Sequence, residues 1–438
     1  MIRWTGEAEP GTPYWWDGAE WPDLTAPPPD RVDLFVIGAG YTGLSAAIAA
    51  HDAGARVAVV DAGQPGHGAS TRNGGMMGAH PRLGWGALRD RFGAETADAL
   101  FAEAAPALGF VLDLIAREGI DCDLERTGRI QLAWTRRHFE AQKVTAAHVR
   151  DKGQVACEVV ERDALPREIT TELYHGGILF PDHCAMHPWK YHAGMLGAVL
   201  RRGVTVSSHC AAVSIERVGE AFRVETKHRA VRADKVLLAT NGYTPSAFRW
   251  FARRVFPIPS FLIATEELPA DLLARLAPGR RMMVETRARH SYFRISPDGG
   301  RILFGGRASM NEIDLTAAAA RLVDTMRAIW PEMRSVRLSH AWTGSTGFSF
   351  THVPAIGVHE GIHYAMGFSG SGTVMAPYLG AKAAWAALGD ARGETAYSRT
   401  GLEARWFHRG GAPHFLKAAD LWYRHWVDLA ENLAARRL

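Results

Sequence analysis

The chain has 438 residues, with 50 basic and 46 acidic side chains and a formal net charge of +4. This length predicts two or three domains, and 47% apolar with 22% charged residues is typical of a soluble globular protein. The small positive charge gives no argument for a nucleic-acid partner. The sequence has no uncharged apolar run near the roughly 20 residues that span a bilayer, and its N-terminus lacks the apolar core of a signal peptide. We therefore expect a cytoplasmic protein without a transmembrane segment.

The four cysteines are scattered along the chain and form no C-x-x-C pair: Cys122, Cys157, Cys184 and Cys210. This spacing argues against a zinc site or a dithiol redox centre, and the histidines show no metal-ligand spacing. A chain of this size does not need disulfides, which favours a reducing cytoplasm. We expect no metal.

The first predicted elements are an extended lead-in and a strand–turn–helix. Residues 1–30, rich in Pro, Gly and Trp, predict a lead-in that aromatic side chains hold in place. The short apolar run 34–37 predicts a strand buried on both faces, and a helix of small residues follows its glycine-rich turn. A second apolar run, 57–60, ends at Asp61.

The turn after the first strand reads Gly38-Ala39-Gly40-Tyr41-Thr42-Gly43. In a dinucleotide-binding unit the first glycine makes the tight turn, the second lets a pyrophosphate approach the backbone, and the third packs the helix close to the sheet. The helix N-terminus attracts phosphate, and an acid at the position of Asp61 bonds the ribose hydroxyls. Strand, glycines, helix, strand and acid in this order predict a dinucleotide site. The alternative is a turn that needs glycine for packing alone, with Asp61 a solvated strand end.

The remaining elements follow from apolar periodicity. Helices are predicted at 86–118, 188–202, 314–330 and 413–435, and another begins after the glycine-rich turn at 367–373. Strands are predicted at 204–207, 212–216, 221–225, 235–239, 337–343 and 362–366, and residues 254–306 are strand-like throughout. The last helix is aromatic on one side, and we expect this side to dock on the body of the protein rather than on a membrane.

A long loop of Gly and small polar residues, 62–80, follows Asp61, where a simple nicotinamide enzyme would resume strand–helix alternation. At this loop the chain resembles the D-amino-acid oxidase superfamily of FAD enzymes, in the branch of bacterial glycine/D-amino-acid and gamma-glutamylputrescine oxidoreductases. The resemblance covers nearly the whole chain. Its landmarks are Tyr14-Trp15-Trp16, IGAGYTGLSAA at 37–47, GHGASTRNGG at 66–75, TGRIQLAW at 127–134, HPWKY at 187–191, LLATNGYT at 237–244, IATEEL at 263–268, YFRISPDGGRILFGGR at 292–307, AWTGSTGF at 341–348 and GFSGSGTVMAPYLG at 367–380.

The resemblance implies an α/β protein with a glutathione-reductase-type FAD-binding Rossmann domain and a substrate domain built on a large antiparallel sheet. After the lead-in, the FAD-binding domain is expected at 31–82, 186–245 and 336–438. The substrate domain is expected at 83–185 and 246–335.

The resemblance also implies a set of FAD contacts. Arg72 is as well explained as a surface or ion-paired arginine, and Val213 stands where the family's backbone bonds the adenine edge. The helix that follows Gly372 would direct its N-terminus at the flavin pyrimidine; a turn serving packing alone is the alternative. The full set is Gly38, Gly40, Tyr41, Thr42, Gly43, Asp61, Ala62, Gly63, Ala69, Ser70, Arg72, Asn73, Gly74, Gly75, Met76, Val213, Ala239, Thr240, Asn241, Gly242, Trp342, Gly344, Gly367, Gly370, Ser371, Gly372 and Thr373.

The family oxidises a C–N bond: hydride passes from the carbon beside an amine to flavin N5, and the imine then hydrolyses. The resemblance therefore implies an FAD-dependent oxidoreductase acting on an amine or amino acid, with oxygen as acceptor and hydrogen peroxide as product. A dehydrogenase that uses another acceptor, a flavin-bound subunit without independent turnover and a plain nicotinamide enzyme are the alternatives.

Substrate binding departs from the family pattern. The arginine that follows W-x-G in the glycine-oxidase-like branch is absent after Trp342-Thr343-Gly344, and the lysine of the sarcosine-oxidase-like branch is replaced by Val374. Arg294 and Arg307 are possible substitutes, and the candidate catalytic or pocket residues are His290, Tyr292, Arg307 and Trp342. Neither Cys nor His stands where the family attaches flavin covalently, near Arg72, Asn73 and Thr343, so noncovalent FAD is expected, although His67 and His80 lie nearby in sequence.

Overall fold

The glycine-rich turn joins a strand to a helix in a computed structural model of the chain, which describes residues 2–78 and 80–435. The strands are β1 (Arg31–Ile37), β2 (Val57–Val60), β3 (Met76–Met77), β4 (Arg129–Leu132), β5 (Glu158–Glu161), β6 (Gly176–Phe180), β7 (Cys184–Ala185), β8 (Thr205–Ser207), β9 (Ala212–Val218), β10 (Ala221–Thr226), β11 (Ala230–Leu238), β12 (Val255–Thr265), β13 (Met282–Glu285), β14 (Ser291–Ile295), β15 (Ile302–Gly306), β16 (Leu338–Ser349), β17 (Ala355–His359) and β18 (Ile362–Met366).

Three of the helices begin at residues that favour a helix N-terminus. Pro188 begins one helix, where its missing N–H costs nothing, and Thr135 and Asp314 each cap a helix through the side-chain oxygen. The helices are α1 (Tyr41–Asp52), α2 (Trp85–Phe92), α3 (Ala94–Ala102), α4 (Ala104–Glu118), α5 (Arg136–Gly153), α6 (Pro188–Arg201), α7 (Arg249–Ala252), α8 (Ala270–Leu276), α9 (Leu315–Ile329), α10 (Gly372–Ala387), α11 (Phe415–Trp422) and α12 (Asp428–Ala435), with a π-helical turn Tyr423–Val427 between the last two.

The first sheet has the strand order β17-β18-β11-β1-β2-β8, and the antiparallel ribbon β9–β10 extends from β11. β1 pairs in parallel with β2 and β11, as β2 does with β8 and β11 with β18. Strands β1 and β2 are buried on both faces, as a parallel sheet covered by helices requires. Helices α1, α6 and α10 pack together beside this sheet in one core.

The second sheet has the order β16-β12-β15-β14-β13-β4-β6-β5. Its pairs are antiparallel except β4 with β13. Helix α9 covers one face with Leu322, Val323 and Met326, three and four residues apart. The predicted fold class, a Rossmann domain with a large antiparallel sheet, is confirmed.

Two details differ from the sequence prediction. β16 pairs with β12 along its whole length, so 338–349 belongs to the second sheet although 336–438 was expected in the FAD-binding domain. The single helix predicted at 86–118 is three helices, interrupted at Gly93 and Glu103, and their apolar residues join the core of the first sheet rather than that of the second.

One helical stretch, Ala94–Glu118, is long and apolar enough to cross a membrane by length and composition. Leu100, Phe101, Val111 and Leu114 from this stretch are buried in the core beside the first sheet. The apolar residues of this stretch thus belong to two helices, α3 and α4, that pack in the core.

Candidate active site

The glycine-rich turn has the geometry that a bound phosphate chain requires. Gly38 has a φ of +108°, which favours glycine, and its N–H donates to the carbonyl oxygen of Val60 (2.8 Å). A Cβ on Gly43 would lie 1.8 Å from the carbonyl oxygen of Gly38, so only glycine lets α1 approach the turn this closely. The N–H of Tyr41, the first residue of α1, donates to Ser70 Oγ (3.1 Å), and Gly40 has no side chain to cap the N–H groups that follow. Gly40, Tyr41 and Thr42 line the cavity beside the turn.

Asp61 lies at the end of β2 beside the same turn. Its two carboxylate oxygens accept from the N–H groups of Ala39 (2.8 Å) and Gly63 (3.0 Å). Burial raises the pKa of Asp61, and the bonds from Gly63 and Ala39 oppose this shift. Each oxygen retains a lone pair for a further donor.

A cavity of about 350 Å³, the turn cavity, extends from Asp61 to the first residues of α10. Main-chain groups and small side chains form most of its wall, which suits a long nucleotide with phosphate groups. The predicted FAD contacts that line it are Gly38, Gly40, Tyr41, Thr42, Asp61, Ala62, Gly63, Ala69, Ser70, Asn73, Ala239, Thr240, Asn241, Gly370, Gly372 and Thr373.

A second cavity of about 520 Å³, the sheet cavity, lies over the face of the second sheet. The predicted residues that line it are Ala69, Arg72, Asn73, Gly74, Met76, His290, Tyr292, Arg307, Gly344, Gly370, Ser371 and Thr373. Ala69, Asn73, Thr346, Gly370 and Thr373 line both cavities. The two cavities therefore form one continuous site.

Six predicted residues line neither cavity. Gly43, Gly75, Gly242 and Gly367 instead pack against neighbouring backbone or side chains. Val213 is 54% exposed on β9, and its neighbours Ala211 and Ala212 line the turn cavity. Trp342 is fully buried, and its Nε1–H donates to the carbonyl oxygen of Arg72 (3.0 Å). Trp342 thus supports the 66–75 loop through this hydrogen bond.

The N-terminal lead-in holds this loop from the other side. The Nε1–H of Trp15 donates to the carbonyl oxygen of Asn73 (2.8 Å), and that of Trp16 donates to Thr71 Oγ1 (2.9 Å). Arg72 stacks on Trp16 at 4.3 Å and donates to the carbonyl oxygen of Thr343 (3.1 Å). Arg72 therefore joins the lead-in and β16 to the loop.

Tyr292 is central to the sheet cavity. Its hydroxyl lies 2.8 Å from Ser260 Oγ, and burial raises its pKa to about 12, so the phenol is neutral. A Cβ on Gly305 would lie 2.3 Å from its ring and a Cβ on Gly74 2.8 Å, so both neighbours must be glycine for the ring to occupy this place. The GGR motif therefore serves to hold Tyr292 as well as to end β15.

Arginines dominate the charge of the sheet cavity. Arg82, Arg129 and Arg307 line it, and its only described carboxylate, Glu285, is paired with Arg287. Arg82 and Arg307 both lie over the ring of Phe348, at 5.4 and 4.5 Å. Burial, with the charge of Arg82, lowers the pKa of Arg307 to about 9. Burial and the nearby arginines hold the pKa of His290 well below its usual range, so this imidazole is neutral.

Sequence reasoning missed several lining residues. Ser260, Arg82 and Gln131 lie on the wall of the sheet cavity. No local motif marks Arg82, and alternation along β12, which places Ile258, Ser260 and Leu262 on one face, was the available signal for Ser260. Arg129 lies within the landmark TGRIQLAW but was not singled out. Among the residues with described positions, no group of His, Cys, Asp and Glu could hold a metal ion.

Comparison with known proteins agrees with this geometry. The family model of the FAD dependent oxidoreductases, DAO, matches residues 33–385. The chain belongs to this family. The predicted family, enzyme class and FAD cofactor are thereby confirmed. FAD fits the turn cavity because the glycine turn and the N-terminus of α1 suit its phosphates, and the Asp61 carboxylate suits its ribose hydroxyls.

Relatives of this FAD-dependent oxidoreductase cover most of the chain. The probable oxidoreductase OrdL of Rhizobium meliloti is 31% identical over 400 residues, which cover 89% of this chain and 91% of that protein. Gamma-glutamylputrescine oxidoreductase of Escherichia coli is 27% identical over 361 residues, which cover 82% of this chain and 84% of that protein. The structure of glycine oxidase from Geobacillus kaustophilus has a TM-score of 0.68 at 18% identity, covering 86% of this chain and all of that chain.

His192 supplies a pH-dependent contact at the turn. Its ring N–H donates to the carbonyl oxygen of Ala39 (2.8 Å), and burial lowers its pKa to about 4. The unfolded chain, with a pKa near 6.5, binds this proton first, so folding loses up to about 1.4 kcal/mol per pH unit as pH falls from 6.5 towards 4. Urea unfolding at pH 7 and pH 5 should show a smaller loss for His192→Gln than for the native chain. The control His228→Gln, at an exposed histidine, should match the native chain. An equal loss of unfolding free energy between pH 7 and pH 5 in all three proteins would contradict the assignment.

Tyr292→Phe should leave flavin binding intact and slow substrate oxidation. The ring between Gly74 and Gly305 remains, but the hydroxyl bonded to Ser260 is lost. One neutral hydrogen bond contributes about 1 kcal/mol, so we expect a fall of roughly fivefold to tenfold in the rate of flavin reduction. Anaerobic stopped-flow absorbance measures this rate, with Ser260→Ala as a partner variant. An unchanged rate in both variants would remove Tyr292 from the reacting site.

Proposed function

We propose that this protein oxidises the C–N bond of an amine or amino acid, by oxidative deamination or N-dealkylation. The observation that carries the proposal is the continuity of the two cavities through Ala69, Asn73, Thr346, Gly370 and Thr373. A nucleotide held at the glycine turn would meet the sheet cavity at this junction. The names of the relatives, gamma-glutamylputrescine oxidoreductase and glycine oxidase, support this substrate class.

The residues of the turn cavity would hold FAD without a covalent bond. The N-terminus of α1 would hold the phosphates, and Asp61 would accept from the ribose hydroxyls. The N-terminus of α10, at Gly372, lies at the junction and favours negative charge there. FAD, when bound, supplies the acceptor for the hydride that leaves the carbon beside the nitrogen. The nitrogen releases a proton, and water then splits the imine into a carbonyl compound and ammonia, or an amine in the case of N-dealkylation.

The sheet cavity would orient the substrate. Arg82 and Arg307 offer two adjacent cations to an acidic group, such as a carboxylate, in place of the family's usual anchors. The neutral Tyr292 hydroxyl can donate to or accept from the substrate beside Ser260. A substrate amine that binds neutral needs no protein base, which agrees with the lowered pKa of His290, since a low pKa makes this imidazole a weak base.

Oxygen is the proposed electron acceptor, with hydrogen peroxide as the product. A dehydrogenase with another acceptor is a second candidate, because oxidases of the superfamily often use a lysine near the flavin and the described lining residues of the two cavities include none. All four cysteines are free and buried, which supports a reducing cytoplasmic location.

The test is an anaerobic screen of the purified yellow protein. Amines, N-alkylated amino acids and gamma-glutamyl amines are added while the flavin absorbance is followed. Bleaching by members of one class, with carbonyl product formed in equal amount, supports C–N oxidation. Admitting air then separates the acceptors: rapid recovery of colour with peroxide favours the oxidase, and slow recovery favours the dehydrogenase. If no compound bleaches the flavin, the proposal fails and a subunit without turnover is favoured.

A further inference from the structure

The C-terminal helical segment presents a row of large apolar side chains to solvent. Trp422, Trp426, Leu429 and Leu433 are each more than half exposed. They follow one another at intervals of three or four residues, which places them on one side of the segment, and Trp422 contacts Trp426 with ring centroids 5.8 Å apart. A contiguous apolar surface of this kind marks an interaction site.

The row continues past the beginning of α11. Phe407 packs on Phe415 with ring centroids 5.2 Å apart, and Trp406, beside Phe407, is 86% exposed. We call Trp406, Phe407, Trp422, Trp426, Leu429 and Leu433 the exposed stripe. Tryptophan at such positions combines an apolar body with a polar N–H, which suits a boundary between water and an apolar phase.

The acidic residues of the segment all face the body of the protein. Asp420 accepts from the N–H of Met310 (2.9 Å), Asp428 pairs with Arg289, and Glu431 accepts from the N–H of Ala288 (3.2 Å). These contacts dock the segment on the protein by its acidic face. The sequence predicted docking by the aromatic side, and this prediction is wrong for Trp422, Trp426, Leu429 and Leu433, which are exposed. The opposite face stays uncovered.

The exposed ionisable residues of 404–435 are all basic. Lys417 and His425 are exposed on the segment, and Arg409 is exposed between Phe407 and the start of α11. Within 404–435 every acid is one of the three that bond inwards. Glu403, three residues before Trp406, is partly exposed but is paired with Arg91 and Arg405. The described surface of 404–435 thus combines Trp and Leu with positive charge.

We propose that the exposed stripe docks this protein on an anionic membrane surface. An amphipathic helix with Trp and Leu on one face and basic residues beside them inserts its apolar side at the headgroup boundary, and the basic groups attract anionic lipid. A second copy of the chain fits less well. A twofold contact pairs the patch with itself, which would bring bases against bases, and the nearby Glu403 is already paired with Arg91 and Arg405. This inference does not depend on the proposed reaction.

The experiment uses the full-length FAD-loaded protein and sedimented vesicles. One set contains phosphatidylglycerol and phosphatidylcholine in equal parts, and the other contains phosphatidylcholine alone. We expect binding to the anionic set, weakened by high salt, and at least about tenfold weaker binding of the variant Trp422→Ser/Trp426→Ser. The control Leu200→Ser/Val218→Ser removes exposed apolar side chains from α6 and β9 and should bind like the native protein.

Flavin absorbance and thermal unfolding confirm that both variants fold. Failure of the native protein to bind either vesicle set overturns the proposal, as does undiminished binding by the tryptophan variant. Light scattering adds a further outcome: a native oligomer that ignores vesicles and becomes monomeric in the tryptophan variant shows that the stripe is an interface between copies and overturns membrane docking.

Discussion

Gly43→Ala is expected to yield a protein that loses both its yellow colour and much of its stability. The new Cβ would lie 1.8 Å from the carbonyl oxygen of Gly38 and 3.1 Å from Val36 Cγ1. The first contact is with backbone, so no side-chain rotation relieves it and α1 must move away from the turn. Overpacking of this kind costs about 3 kcal/mol. The displaced helix N-terminus also leaves the phosphate site, so FAD content should fall to a small fraction of the native level.

Gly109→Ala is the matched control for this variant. Gly109 also lies within a helix, α4, but a Cβ there meets nothing within 4 Å. Alanine favours helix over glycine by up to about 1 kcal/mol, so this variant should gain stability and keep its flavin. The measurements are the ratio of flavin to protein absorbance and the midpoint of urea unfolding. A fully yellow Gly43→Ala protein of native stability would contradict the helix contact.

The strand–turn–helix unit could be predicted because its determinants are local. Gly38, Gly40 and Gly43 stand at fixed spacing, and Asp61 ends the next apolar run, so turn, helix and second strand follow from 30 residues of sequence. Proline at 188 and the apolar spacing of 315–329 likewise mark α6 and α9. The structure contains all of these elements.

Strand pairing could not be predicted from local pattern. β16 reads as a strand in the sequence, but only its partner β12, about 80 residues earlier, assigns it to the second sheet. β4 and β6 are short, and α5 lies between them in the sequence. Neither strand is long enough to show the alternation that would assign it to a sheet. Edges and neighbours in a sheet are set by burial against distant elements, which a single sequence does not display.

The site shows the same division between local and distant information. The predicted flavin contacts at 69–74 follow from one loop, whereas Arg82 meets Arg307 only because two separate segments approach Phe348. Trp15 and Trp16 were recognised as landmarks, yet their hydrogen bonds to Asn73 and Thr71 depend on the path of the lead-in. Trp342 follows the family motif but supports the loop instead of lining the cavity.

Arg307→Met should weaken the binding of acidic substrates while leaving the fold intact. No described carboxylate pairs with Arg307, and burial and Arg82 both disfavour its charge. A substrate carboxylate would stabilise this cation, and a charge-assisted hydrogen bond is worth about 1.5–3 kcal/mol. We therefore expect the substrate concentration for half-maximal flavin reduction to rise about tenfold to a hundredfold. Removing an unpaired buried charge should at the same time hold or raise the temperature of unfolding without substrate.

The sharpest measurement compares an amino acid with the amine left by its decarboxylation. The native enzyme should bind the amino acid better, and Arg307→Met should lose this preference because the carboxylate no longer meets its cation. Arg307→Lys keeps a charge but lacks the planar fork, so it should fall between the two. Arg137→Met, an exposed arginine on α5, is the matched control and should leave the preference unchanged. If Arg307→Met weakens both compounds equally, or unfolds below the native temperature, Arg307 has a structural role and the carboxylate is held elsewhere.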